Sequence, residues 1–86
     1  MPHYFFQVRN GHGMTLDDEG IDLQDEAAAQ AMAMDSIRSM VAEEARKGVI
    51  DLDGYIDVKN DAAETLTRIA FSEAFTLRMP NSEEKQ

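Results

Sequence analysis

The sequence predicts an α+β domain of element order β-β-α-β-β, in which four antiparallel strands form one sheet and a single long helix packs on one face. Three observations carry this expectation. Apolar residues recur at helical spacing between Asp25 and Gly48. Stretches on both sides of that segment alternate apolar and polar residues, as half-buried strands do. Between them lie short clusters of Gly, Asn and Asp that favour chain reversal, so the layer rules lay the helix across an antiparallel sheet.

The helix has a buried stripe and two well-formed ends. With Ile37 at the centre of a wheel of about 100° per residue, Ala33, Met34, Met40 and Val41 share its side, flanked by Gln30 and Ala45. Asp35, Ser39, Ala42, Glu43 and Arg46 fall opposite, where charge stays in water. Asp25 is suited to cap the first turn, because its carboxylate can accept from orphan N–H groups, and Glu26 adds negative charge at the positive end of the dipole. Arg46 and Lys47 complement the other end, and Gly48 can adopt the left-handed conformation that closes a helix. Glu43 and Lys47 stand in the favoured i,i+4 order.

In chain order, His3 to Arg9 forms the first strand, with Tyr4, Phe6 and Val8 on the core face and His3, Phe5, Gln7 and Arg9 on the other. Asn10-Gly11-His12-Gly13 reverses the chain. Met14 and Leu16 begin an irregular second strand that the acidic run 17–20 interrupts and Ile21 and Leu23 resume. Beyond the helix, the loop at Asp51-Leu52-Asp53-Gly54 leads into a third strand, Tyr55 to Lys59, with Ile56 and Val58 on one face. Asn60 to Ala63 reads as a hairpin turn without a glycine. A fourth strand runs from about Glu64 to Phe71, where the opposite parities of Leu66 and Ile69 indicate a bulge or a two-sided strand. Ser72 can cap a short turn holding Ala74 and Phe75. Residues 1–77 make one domain, and 78–86 read as a disordered tail. Strand order stays open, because the crossover can place the third strand beside the first or the second.

Composition narrows the function classes. A net charge of -9, with eight scattered basic residues, argues against direct nucleic-acid binding, which needs clustered Lys and Arg. The absence of cysteine removes disulfides and thiolate metal sites and fits a reducing compartment. No apolar run approaches the roughly 20 residues of a membrane span, and no signal-peptide pattern opens the chain, so a cytoplasmic location without membrane contact is expected.

Asp17, Asp18, Glu19, Asp22, Asp25 and Glu26 crowd six carboxylates together without a base among them. They read either as a solvated turn before the helix or as a docking patch for a basic protein. Neither acidic loop has the alternating oxygens, glycine and later Glu of a calcium-binding EF-hand. His3 and His12, without a third ligand, make a poor zinc site. No nucleophile triad or phosphate-cradling loop is present, and no cofactor is expected. Phe5 and Tyr55 fall on the sheet face away from the helix, and Met32 lies off the helix stripe. Apolar residues on an uncovered face are frequent interface anchors.

The runs Tyr4-Phe5-Phe6-Gln7-Val8-Arg9-Asn10-Gly11, Asp18-Glu19-Gly20-Ile21-Asp22-Leu23 and Asp25 to Ala29 resemble a bacterial domain-of-unknown-function family. Its short members open with a YxFxVR-type strand, a DxEGxxL segment and an alanine-rich helix. The resemblance extends through Asp53-Gly54 to Phe71. Departures occur at Ala62-Ala63, where the family pattern has a glycine, and at Ala70, where it often has proline. A weaker likeness is to HicB-type antitoxins, which also place an acidic glycine turn before the helix. The expected function is a non-catalytic, regulatory protein-interaction module that uses Phe5, Tyr55, Met32, Asp17, Asp18 and Glu19, with a protein partner or a second copy of itself. The alternatives are antitoxin-like inhibition of a basic RNA-directed toxin and, third, a small enzyme with carboxylate chemistry.

Overall fold

The computed structural model describes residues 1–80. Strands β1 (His3–Asn10), β2 (Gly13–Thr15) and β3 (Ile21–Asp22) precede helix α1 (Glu26–Arg46), and β4 (Tyr55–Lys59), β5 (Thr65–Ala70) and a 3-10 turn (Phe71–Ala74) follow it. Every pairing is antiparallel. The order across the sheet is β2-β1-β4-β5, with β3 also on β1.

The irregular second strand is two short pieces that share one edge of β1. β2 pairs with Val8 to Asn10 and β3 with His3 and Tyr4. The residues between them swing away as a loop, because consecutive carboxylates at 17–19 cannot keep the alternation of a half-buried strand. β4 lies along the opposite edge of β1, from Phe5↔Lys59 to Arg9↔Tyr55. The crossover through α1 thus seats β4 beside the first strand, giving four strand positions backed by one helix.

The sheet face toward α1 presents Tyr4, Ile56, Val58 and Ile69, buried against Ala29, Ala33, Ile37 and Val41 of the helix, with Phe71 and Ala74 completing the core. Ala29 and Ala33 are fully buried, and their small side chains let the helix approach closely. Phe6, Val8, Met34 and Met40 are partly buried around this centre.

Both helix ends form as the residues dictate. Asp25 is extended (φ -160), and its side chain accepts from the Ala28 N–H at 2.9 Å. At the other end Gly48 takes φ +93, its N–H bonds the Ala45 carbonyl at 3.0 Å, and the Val49 N–H reaches Glu44 at 3.1 Å. That pair of bonds is a Schellman closure. Glu43 pairs with Arg46 at 3.3 Å rather than with Lys47, which forms the C-cap itself.

The β4–β5 turn closes without glycine. The Asn60 side chain accepts from the N–H groups of Ala62 and Glu64, the Ala63 N–H bonds the Asn60 carbonyl, and Ala63 takes φ +65. This is a type I turn followed by a left-handed residue, where glycine is normally used. The expected bulge lies at Val58/Lys59, where Val58 pairs with Thr67 but Lys59 with Thr65; Leu66 is the extra residue. The short turn after β5 starts at Phe71, not under a Ser72 cap, because the Phe71 N–H bonds the Gly54 carbonyl at 3.0 Å and its ring lies against Gly54. A Cβ at residue 54 would come within 2.5 Å of the Arg9 carbonyl, so only glycine fits there. Of the expected tail, 78–80 carry no regular structure and 81–86 lie outside the described residues. No helix among the described residues is long and apolar enough to cross a membrane.

Candidate functional site

The face of the sheet turned away from α1 has two unlike halves. At the Tyr55 end, Arg68 of β5 grips Asp57 of β4 with two bonds, Nε to Oδ1 at 2.7 Å and Nη2 to Oδ2 at 3.1 Å. Its guanidinium carbon lies 3.9 Å from the centre of the Tyr55 ring. Asp57 is buried although it points away from the core, since Arg68 covers it. A paired, stacked guanidinium closes this half against simple apolar contact.

The other half is open. Register places Phe5 opposite Lys59, and the 16–20 loop and the 60–63 turn rise on either side. A shallow groove of about 270 Å³ results, lined by Phe5, Leu16, Asp17, Asp18, Lys59 and Asp61. The ion pairs formed among the described residues, His3–Asp22, Glu43–Arg46 and Asp57–Arg68, leave Asp18, Asp61 and Lys59 outside.

Asp17 builds the wall of this groove. Phe6 sits on β1 between the segments paired by β2 and β3, so its N–H has no strand to bond. The Asp17 carboxylate accepts it at 3.3 Å and also takes the N–H groups of Glu19 (3.3 Å) and Gly20 (3.0 Å). One side chain thereby replaces a missing stretch of strand and folds its own loop. Burial works to raise the Asp17 pKa, but the bonds from Gly20, Phe6 and Glu19 and the nearby His3 outweigh it and hold the carboxyl below its usual range.

His3 is the second tie on the same loop. Its Nδ1 meets the Asp22 carboxylate, and its Nε2 lies 2.6 Å from the Glu19 carbonyl. The Asp22 bond, followed by the Glu19 bond, holds the imidazolium above the ordinary histidine value despite partial desolvation. Its ring stands edge-on to Phe5, with centroids 5.0 Å apart.

The structure therefore brings Phe5, Asp17 and Asp18 together and leaves the other sequence-derived residues elsewhere. Glu19 contributes its carbonyl to His3, and its exposed side chain does not line the groove. Tyr55 is at the far end of the same face beneath Arg68, and half-buried Met32 is on the helix, in the other layer. Lys59 and Asp61 are the functional candidates that sequence reasoning missed, and His3, weighed there only as a poor zinc ligand, ties down the loop instead. The first two join Phe5 only through the β1–β4 pairing, and the Asp22 partner of His3 is 19 residues away. His12 sits in the β1–β2 turn, at the opposite end of β1 from His3, so the two imidazoles do not meet. Among the described residues no three His, Cys, Asp or Glu side chains are grouped to hold a metal ion. A second, apolar cleft lies between α1 and the chain after β5, with Val41, Ile50, Leu52, Phe75 and Leu77 along it.

Fold and groove together define a small α+β domain: an antiparallel sheet backed by one helix, with a partly charged outer face. Residues 3–72 match the family described as a domain of unknown function, DUF6894, and the chain belongs to that family. The matched span covers every strand and the helix, and it bears out the resemblance drawn from the first strand, the acidic glycine segment and the alanine-rich helix. No curated protein and no solved structure matches the chain.

Proposed function

We propose that this domain is a non-catalytic interaction module that receives a basic segment of a partner protein in the groove over Phe5. The observation that supports this most is the placement of an aromatic ring between two acidic walls, with Asp18 on one side and Asp61 on the other. An Arg or Lys side chain entering there stacks on Phe5 and meets the carboxylates of Asp18 and Asp61, neither of which forms a salt bridge among the described residues. The net charge of -9 steers such a partner toward the domain. Lys59 sets a limit on the partner, since it repels a cation at one corner and accepts an acidic neighbour in the ligand sequence.

Charge reversal tests this reading. Asp18→Lys combined with Asp61→Lys, and separately Phe5→Ala, should each abolish capture of a basic partner that the control Asp53→Lys retains. Binding that survives all three changes places the partner elsewhere. If the partner is a small basic toxin acting on RNA, co-expression with this chain restores growth, and the groove variants lose the rescue. A second copy of the chain is the alternative partner, favoured by the outer edge of β5, which pairs with no other strand among the described residues. Light scattering on the eluting protein distinguishes dimer from monomer.

A further inference from the structure

The 16–20 loop that walls the groove reaches β1 through two titratable ties, and one of them changes charge near neutral pH. We propose that His3 is a protonation latch, its imidazolium holding the loop against β1 at mildly acidic pH and releasing the Glu19 side of the loop when it becomes neutral. The geometry requires the charged form. Both ring nitrogens face acceptors, a carboxylate oxygen of Asp22 and the carbonyl oxygen of Glu19. A neutral imidazole has a single N–H, so deprotonation sets a nitrogen lone pair against one of these oxygens. Among the described residues the charged groups that act on the ring are carboxylates: Asp22 from β3, Asp17 from the loop and Asp61 from the β4–β5 turn. From its own strand His3 meets only the edge of Phe5.

Gly20 gives independent support, because the chain there is shaped to bring the loop onto the imidazole. Its φ is +67, and a Cβ at that position would lie 2.6 Å from the Tyr4 carbonyl and 2.7 Å from His3 Nε2. No side chain fits between loop and ring. The Asp17 bonds to Phe6, Glu19 and Gly20 persist when His3 loses its proton, so release loosens one wall of the groove without unfolding the sheet. The effect on partner binding rests on the groove reading above; the latch itself is a property of the free chain.

The test is an NMR titration of the full chain carrying His12→Gln, which leaves His3 as the sole imidazole. The His3 ring should titrate with a midpoint above 6.5. The Glu19 and Gly20 amide resonances, which flank the carbonyl that His3 holds, should shift with that same midpoint, while Ile56 and Val58 amides stay unchanged. Asp22→Asn should lower the midpoint, and His3→Gln should abolish the loop transition. A midpoint at or below 6.5, or loop amides that ignore the ring titration, overturns the latch. Neither readout involves a partner, whereas Asp18→Lys alone tests the groove and leaves Asp22, Asp17 and Asp61 around His3 in place, so the two ideas fail separately.

Discussion

Among the described residues Ala63 is the one non-glycine residue at positive φ. An L-residue in the left-handed region gives up about 1–2 kcal/mol, and Ala63 at φ +65 does so to finish the turn that Asn60 organises. Ala63→Gly should stabilise the domain by about 0.5–1 kcal/mol after the extra freedom of glycine in the unfolded chain is subtracted, read as a rise in the urea midpoint. Asp17 makes the opposite case. Asp17→Ala strands the Phe6 N–H and unties the loop, and should cost about 1–3 kcal/mol. Because the Asp17 pKa is depressed in the folded state, its contribution is complete above 3.8 and disappears as pH falls through the folded-state value. For His3 the sign reverses: its pKa is raised, so its contribution is complete below 6.5 and fades as pH rises through the folded-state value. The loop is thus tied most firmly between those two limits. At this scale the sequence marked Asp17 as acidic and exposed to interpretation as solvated turn or docking patch. Its role as a surrogate for missing strand bonds depends on Phe6, eleven residues away in sequence, and so was not legible.

At the scale of elements, α1 was almost fully legible, because cap, stripe and closing glycine are local features that agree with one another. Its burial follows the expected line, with Ala33, Ile37 and Val41 at the centre and Met34 and Met40 at the margins. Ile37→Ala should therefore cost about 2–5 kcal/mol, and the same truncation at half-buried Met40 distinctly less, as measured by chemical denaturation. The strands were legible one by one, each from its own alternation. Their order was not, since it depends on where an entire helix delivers the chain. That non-local step also hid the groove: Phe5 was readable as outward-facing, but Lys59 and Asp61 become its neighbours only when β4 settles along β1. Tyr55 was readable in the same way, yet Arg68 reaches it from β5, across a pairing that parity does not specify.

For the whole molecule, charge and topology set how it meets others. Seventeen acidic against eight basic residues keep copies apart at low salt and draw cationic partners. The association proposed for the groove should weaken steeply as ionic strength rises, in contrast to the salt-tolerant packing of α1 on the sheet. The divided edge beside β1 has a further consequence. A sheet with two regular edges can recruit a strand on each and grow without limit into a fibre. Here one margin is only two short pieces, with a carboxylate occupying the backbone position between them, and among the described residues β5 offers the longer unpaired border, bulged at Leu66. Strand addition at β5, by a partner strand or a twin, would therefore leave only the divided β2/β3 margin, a poor border from which to propagate.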